Sequence, residues 1–191
     1  YFVDPSDDGL QTMLGKAREF RRERNRTLVS NLAEATGLAL SYDDLSDSVQ
    51  GNLGRPHMAD ILVQRSVVDT VSEAFDKYLG ETGEAFVPMK RLPAPKVLAR
   101  IHDAGGTTSL AHPGRIRTDT ETVEQMVEQL DGLGLDGIEV RYPYGSVKNP
   151  DYASIGVDEA AEIANRFDLI PTGGSDCHGP DSGKFRMGDV R

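Results

Sequence analysis

Asp176-Cys177-His178 carries the most chemistry of any tripeptide in the chain. In extended backbone, residues i and i+2 face the same way. The spacing therefore predicts a carboxylate and an imidazole presented together, with Cys177 turned away. Gly173, Gly174 and Gly179 flank the tripeptide and let a ligand approach the backbone closely. A second imidazole, His112, is followed by Pro113-Gly114, which fixes a sharp turn. A hard carboxylate with borderline imidazoles suits Mn, Fe or Zn. On spacing alone two other readings stay open: Asp176 and His178 as a hydrogen-bonded structural pair, and His112 as a satisfied core histidine. His102 sits late in a helix, where the macrodipole favours a protonated ring, and reads as structural. Glu139 and Arg141 read as a same-face ion pair on one strand. Cys177 reads as a packed thiol without the base or helix N-terminus that activates a nucleophile.

These residues need elements that end at a common rim. From residue 95 onward, helical patterns alternate with short apolar strands. The strands are Thr107–Ala111, Gly137–Val140 and Leu169–Thr172, and the amphipathic helix between the first two carries Val123, Met126, Val127, Leu130 and Leu133. Alternation with short connections predicts a parallel α/β sheet or barrel. In such folds the loops after the strands carry the chemistry, so His112, Arg141, Asp176 and His178 are expected on one rim.

Residues 8 to about 80 read instead as helical. A long helix from Asp8 to Thr36 stops at Gly37. Its apolar stripe is Leu10, Leu14, Ala17, Leu28, Leu32 and Ala35, and extending it lands on Arg21 and Arg24, two arginines expected to point inward. Arg18, Arg22 and Arg26 lie off the stripe and read as a solvated face paired with Glu19 and Glu23. Ser41 to Asn52 reads as turn-rich. Gly54-Arg55-Pro56-His57 opens another helix, with Pro in the first turn and His57 near free amides that favour an anion. A further helix is expected from Val67 to Leu79, followed by a connector from Gly80 to Pro95.

Composition bounds the classes. The 191 residues carry 31 acids and 21 bases, a formal charge of −10, 38% hydrophobic residues and one cysteine. A charge of that sign disfavours strong duplex nucleic-acid binding, so an anionic substrate requires local cations. One cysteine excludes an internal disulfide, no apolar run is long enough to cross a membrane, and no signal-peptide pattern stands at the start. A cytoplasmic location is expected. The chain opens with Tyr-Phe-Val inside what reads as a strand, and is expected to be a piece of a longer protein.

Gly105 to Arg115 (GGTTSLAHPGR), Gly137-Ile-Glu-Val140 and Thr172-Gly-Gly-Ser-Asp-Cys-His-Gly179 together resemble the later motifs of the PHP (polymerase and histidinol phosphatase) metal-dependent phosphoesterases. Gly54-Arg-Pro-His57 and the segments Tyr78–Gly80 and Phe86–Pro88 resemble a branch with a helical lid that acts on nucleotide phosphates. The resemblance implies a distorted (βα)7 barrel, here without its first strands. It divides the chain into a barrel strand at 1–7, a helical lid insertion at 8–80 and the later part of the barrel at 81–191. It implies divalent ions, Mn²⁺ foremost with Fe²⁺ or Zn²⁺ as alternatives, and matches His112, Asp176 and His178 to metal ligands that are also catalytic. The family's His-x-His pair, middle histidine and glutamate are absent from this sequence, so the chain by itself is expected to bind metal weakly and to turn over little substrate. Tyr142 stands where related sequences often carry His.

The reaction implied is hydrolysis of 3′,5′-nucleoside bisphosphates, or of the 5′ ends of short oligonucleotides, by metal-activated water. Arg21, Arg24, Arg55, His57 and Arg115 are the expected phosphate-binding residues, since arginine matches phosphate oxygens bidentately. Two alternatives stand beside this reading: a small-metabolite phosphatase of the histidinol-phosphate type, and a metal-poor, non-catalytic binding module. Open sheet edges invite pairing with a second copy, so a homodimer is a further expectation.

Overall fold

A computed structural model describes residues 1–49, 52–116, 121–144 and 154–177. The chain divides into two compact units, one of residues 12–92 and the other of residues 1–11 with 93–191.

The first unit is helical. It holds α1 (Asp8–Thr36, entering from the other unit at residue 12), α2 (Tyr42–Asp47), α3 (Arg55–Gln64) and α4 (Val71–Ala74). The stretch expected to be turn-rich contains α2 because Ser41 caps it, its Oγ accepting from Asp44 N; such caps contribute about 1 kcal/mol. The helix expected from Val67 to Leu79 is instead α4 followed by a π-helical turn over Phe75–Leu79, closed by Gly80 N donating to Phe75 O at 2.7 Å. Leu28, Val29 and Leu32 of α1 pack with Met58, Ala59 and Leu62 of α3 and with Ala74, Leu79 and Ala85. Each fully buried leucine contributes about 1.5–3 kcal/mol. This cover begins at Arg24. Leu14 and Arg21 of α1 are therefore exposed, and of the two arginines expected inward only Arg24 is buried. Gly37 ends α1 at φ +71, a left-handed stop that glycine adopts without a Cβ penalty.

The second unit is α/β. It contains α5 (Ala94–Asp103), β1 (Ser109–Leu110), α6 (Val123–Asp131), β2 (Gly137–Arg141), α7 (Val157–Arg166) and β3 (Ile170–Gly173). The three strands run parallel in the order β1-β2-β3. Buried Val127 of α6, Ile138 and Val140 of β2, Ala160 and Ile163 of α7, and Leu169 form its core. α6 starts at a reciprocal cap, Thr122 Oγ1 accepting from Gln125 N and Gln125 Oε1 from Thr122 N, as the S/T-x-x-E/Q pattern favours. Leu133, expected on the buried stripe, lies past the end of α6 and is exposed.

The opening residues form no strand: Phe2 has φ +56 and is exposed. The segment is held by backbone bonds between Tyr1 and Thr107 and from Asp4 N to Ala104 O.

Candidate active site

The loop after β1 places His112 in the left-handed region, φ +36 and ψ +56. A non-glycine residue held there costs of order 1–3 kcal/mol, so its surroundings must hold it. Pro113 next to it starts a single 3-10 turn, Pro113–Arg115. The backbone N–H of His112 donates to Glu139 Oε2 at 2.6 Å. That carboxylate comes from β2, where two residues oppose one on β3 between Glu139 and Arg141. The bulge ends strict alternation, and the Glu139–Arg141 ion pair expected from the sequence is not made. Glu139 instead braces His112. Burial pushes the Glu139 carboxyl upward, the His112 N–H and the imidazole charge oppose this, and the nearby Asp176 charge adds to the rise.

The buried Nδ1 of His112 has no hydrogen-bond partner among the described residues. A satisfied core histidine would have one. A buried, unpartnered imidazole nitrogen is what a divalent cation requires of its ligand. The ring meets Tyr142 edge-on, with centroids 5.8 Å apart.

Tyr142 is the hinge of the cluster. Its phenol donates to Asp176 Oδ2 at 3.1 Å and accepts from Arg115 Nη1 at 2.8 Å. The Arg115 guanidinium and the Asp176 carboxylate stand 4.0 Å apart. Burial foremost raises the Tyr142 phenol pKa; the Asp176 charge adds to the rise and Arg115 opposes it. Behind it the Tyr144 ring lies tilted, with centroids 4.8 Å apart, its phenol pushed up to about 12 chiefly by burial. Both phenols therefore stay protonated at neutral pH and serve as donors.

Asp176 also departs from the sequence expectation. β3 ends at Gly173, and Asp176 adopts φ +51. The extended i, i+2 argument for the Asp176/His178 pair therefore does not hold at this loop. His178 lies outside the described residues. Cys177 is a half-buried free thiol. Among the described residues, no three His, Cys, Asp or Glu side chains converge as a metal cage. His112 and Asp176 flank Tyr142, and both act electrostatically on Glu139. His102 is structural, its Nε2 2.8 Å from Asp136 Oδ2.

In the helical unit, Arg24 is buried. Its Nε donates to Val87 O at 3.1 Å and its Nη1 to Asn25 Oδ1 at 2.9 Å. Burial lowers its pKa, and the positive charges of Arg55 and Arg21 lower it further. Arg55 donates to Leu79 O and lies over the Phe75 ring. Among the described residues no carboxylate lies within 4.0 Å of these three guanidiniums. His57 Nδ1 accepts from Gly54 N at 3.1 Å; a neutral ring then carries its proton on Nε2. The side chain caps its own helix, where an anion contact was expected.

Relatives bear on what this geometry serves. A 5′-3′ exoribonuclease of Haemophilus influenzae is 30% identical over 169 residues, 88% of this chain and 59% of that protein. A 3′,5′-nucleoside bisphosphate phosphatase of Chromobacterium violaceum is 29% identical over 188 residues, 97% of this chain and 63% of that protein. A solved structure from Bifidobacterium adolescentis, described as a metal-dependent phosphoesterase, superposes with TM-score 0.76 at 28% identity. It covers 98% of this chain and 64% of that one. In sequence and in fold the chain is similar to these phosphoesterases. No family model matches it, and it spans about three fifths of the length of these curated relatives. Two residues of this site, Glu139 and Tyr142, have roles here that their sequence positions did not assign. Glu139 was visible as a lone carboxylate in an apolar strand, and Tyr142 as an aromatic directly after that strand.

Proposed function

We propose that the chain belongs to a cytoplasmic, metal-dependent phosphoesterase that hydrolyses 3′,5′-nucleoside bisphosphates or the 5′ ends of short oligonucleotides. In this reading residues 8–80 are a helical lid and residues 81–191 the later part of a (βα)7 barrel. The observation that carries it is the buried Nδ1 of His112, without a hydrogen-bond partner among the described residues, together with the Asp176 carboxylate oriented by Tyr142 and Arg115. His112, Asp176 and His178 would hold the metal, Mn²⁺ foremost. When bound, divalent ions bring the pKa of bound water toward neutrality and offset phosphate charge.

The chain's own residues then have distinct tasks. Glu139 fixes the His112 backbone, and hence the ring. Tyr142 orients Asp176 through one oxygen. Arg115, tied to the same phenol, offers a guanidinium to a phosphate oxygen. Arg21, Arg24 and Arg55, with His57, hold the phosphate that is not cleaved. The absence of carboxylate partners among the described residues supports this, since clustered, partly desolvated cations favour an anion.

Three variants test the reading in the native protein. Asp176→Ala should cut bisphosphate hydrolysis by orders of magnitude and weaken Mn²⁺ binding measured by calorimetry, while Cys177→Ala leaves both within about twofold. Equal effects of the Asp176 and Cys177 variants, or full Mn²⁺ affinity in His112→Ala, would remove the basis for the assignment.

A further inference from the structure

The arginines that the sequence suggested were paired along α1 are largely not paired. Arg18 and Arg22 are exposed, and among the described residues neither they nor Arg21 has a carboxylate within 4.0 Å. Arg26 alone has such a partner, Asp43 of α2 at 3.5 Å, and its guanidinium lies over the Tyr42 ring at 5.2 Å. These side chains line a cavity of about 350 Å³ between α1 and α2, completed by Asn52. Residues 16–26 carry Lys16 and five arginines against Glu19 and Glu23, in a protein of net charge −10. Such a local cationic groove in an acidic chain selects a polyanion that can enter the groove.

We propose that this groove binds the phosphate backbone of a single-stranded oligonucleotide. The inference rests on the nucleotide-phosphate reading above and extends it from the reacting phosphate to the strand attached to it. Arg18, Arg22 and Arg26 recur every four residues, so their Cα atoms climb α1 in steps of about 6 Å. That step is comparable with the separation of successive phosphates along an extended strand, and one helix face can therefore follow several of them. The Tyr42 contact and the Asp43 pair hold Arg26 at one end, while Arg18 and Arg22 stay available to phosphates. At about 350 Å³ the cavity is large enough for phosphates of a single strand and too small for the body of a blunt duplex. Binding of this kind is electrostatic and salt-dependent.

The test uses the native protein in EDTA, so that nothing is hydrolysed. A 5′-phosphorylated RNA pentamer, labelled at its 3′ end, is titrated by fluorescence anisotropy at several salt concentrations. Arg18→Ala/Arg22→Ala should raise Kd about tenfold and reduce the slope of log K against log salt by about 1.4, because each single-strand phosphate contact contributes about 0.7. With metal restored, kcat/KM for a nucleoside 3′,5′-bisphosphate should match that of the unaltered protein. A variant that binds the pentamer with unchanged Kd and slope overturns the inference. So does an unaltered protein that prefers a blunt duplex of equal length. If the unaltered protein hydrolyses neither substrate, the phosphoesterase reading fails, and the EDTA titration still decides the groove.

Discussion

Glu139→Ala removes the brace of the candidate active site, and its consequences follow from the geometry. The lost interaction is the 2.6 Å bond from His112 N–H to the carboxylate. A hydrogen bond to a charged acceptor contributes about 1.5–3 kcal/mol, and the orphaned N–H adds a desolvation cost. His112 also loses the partner that holds it at φ +36, a conformation with its own strain. Against this, the carboxylate sits where burial raises its pKa, so removing its charge at neutral pH returns part of the cost. The balance is a loss of about 2 kcal/mol. Glu139→Gln keeps an acceptor oxygen and sheds the buried charge, so its stability should stay within about 1 kcal/mol of the original. Urea unfolding reads both. In parallel, Mn²⁺ calorimetry should show affinity falling about 10–100-fold for the Ala variant, the usual cost of removing a group that orients a ligand, and less for Gln. Two unfolding curves that coincide with the parent, with unchanged Mn²⁺ affinity, would refute the bracing role.

Three further outcomes are expected. A methyl group at Gly174 would clash with Glu139 Oε1, well inside ordinary contact. Gly174→Ala should therefore lower Mn²⁺ affinity in calorimetry while leaving far-UV circular dichroism unchanged. Burial raises the Asp136 carboxyl, but the Thr108 N–H, His102 and the Thr108 hydroxyl outweigh it and hold its pKa at about 2. Because that value lies below the unfolded one, the contribution is full above about pH 4 and disappears as pH falls toward 2. After discounting for exposure it amounts to about 1 kcal/mol, and urea midpoints of Asp136→Asn against the parent across that window should converge at the acid end. Asn25→Ala deletes a 2.7 Å bond to Leu53 O and the acceptor of Arg24 Nη1. It should cost about 2–3 kcal/mol in thermal or urea unfolding, with the buried guanidinium left short of a partner.

Much of this molecule is legible in its residue order, because the signals involved are local. The limits of α1 follow from periodicity and from Gly37, and α3 from Gly54-Arg55-Pro56. The parallel run of the three strands follows from their separation by helices, since parallel neighbours need a crossover; their order β1-β2-β3 came from the structure. The chemistry of His112 and Asp176 was visible as residue type at the ends of strands. Packing and backbone detail decided the rest. Only the depth to which α3 and the π turn cover α1 separates buried Arg24 from exposed Arg21. Only the bulge in β2 turns Glu139 from an expected partner of Arg141 into the acceptor for His112. Only the left-handed turn at Asp176 overrides the alternation its sequence spacing suggested. Tyr142 acquires its role through contacts 27 and 34 residues away along the chain, a separation at which periodicity holds no information and which folding alone can close.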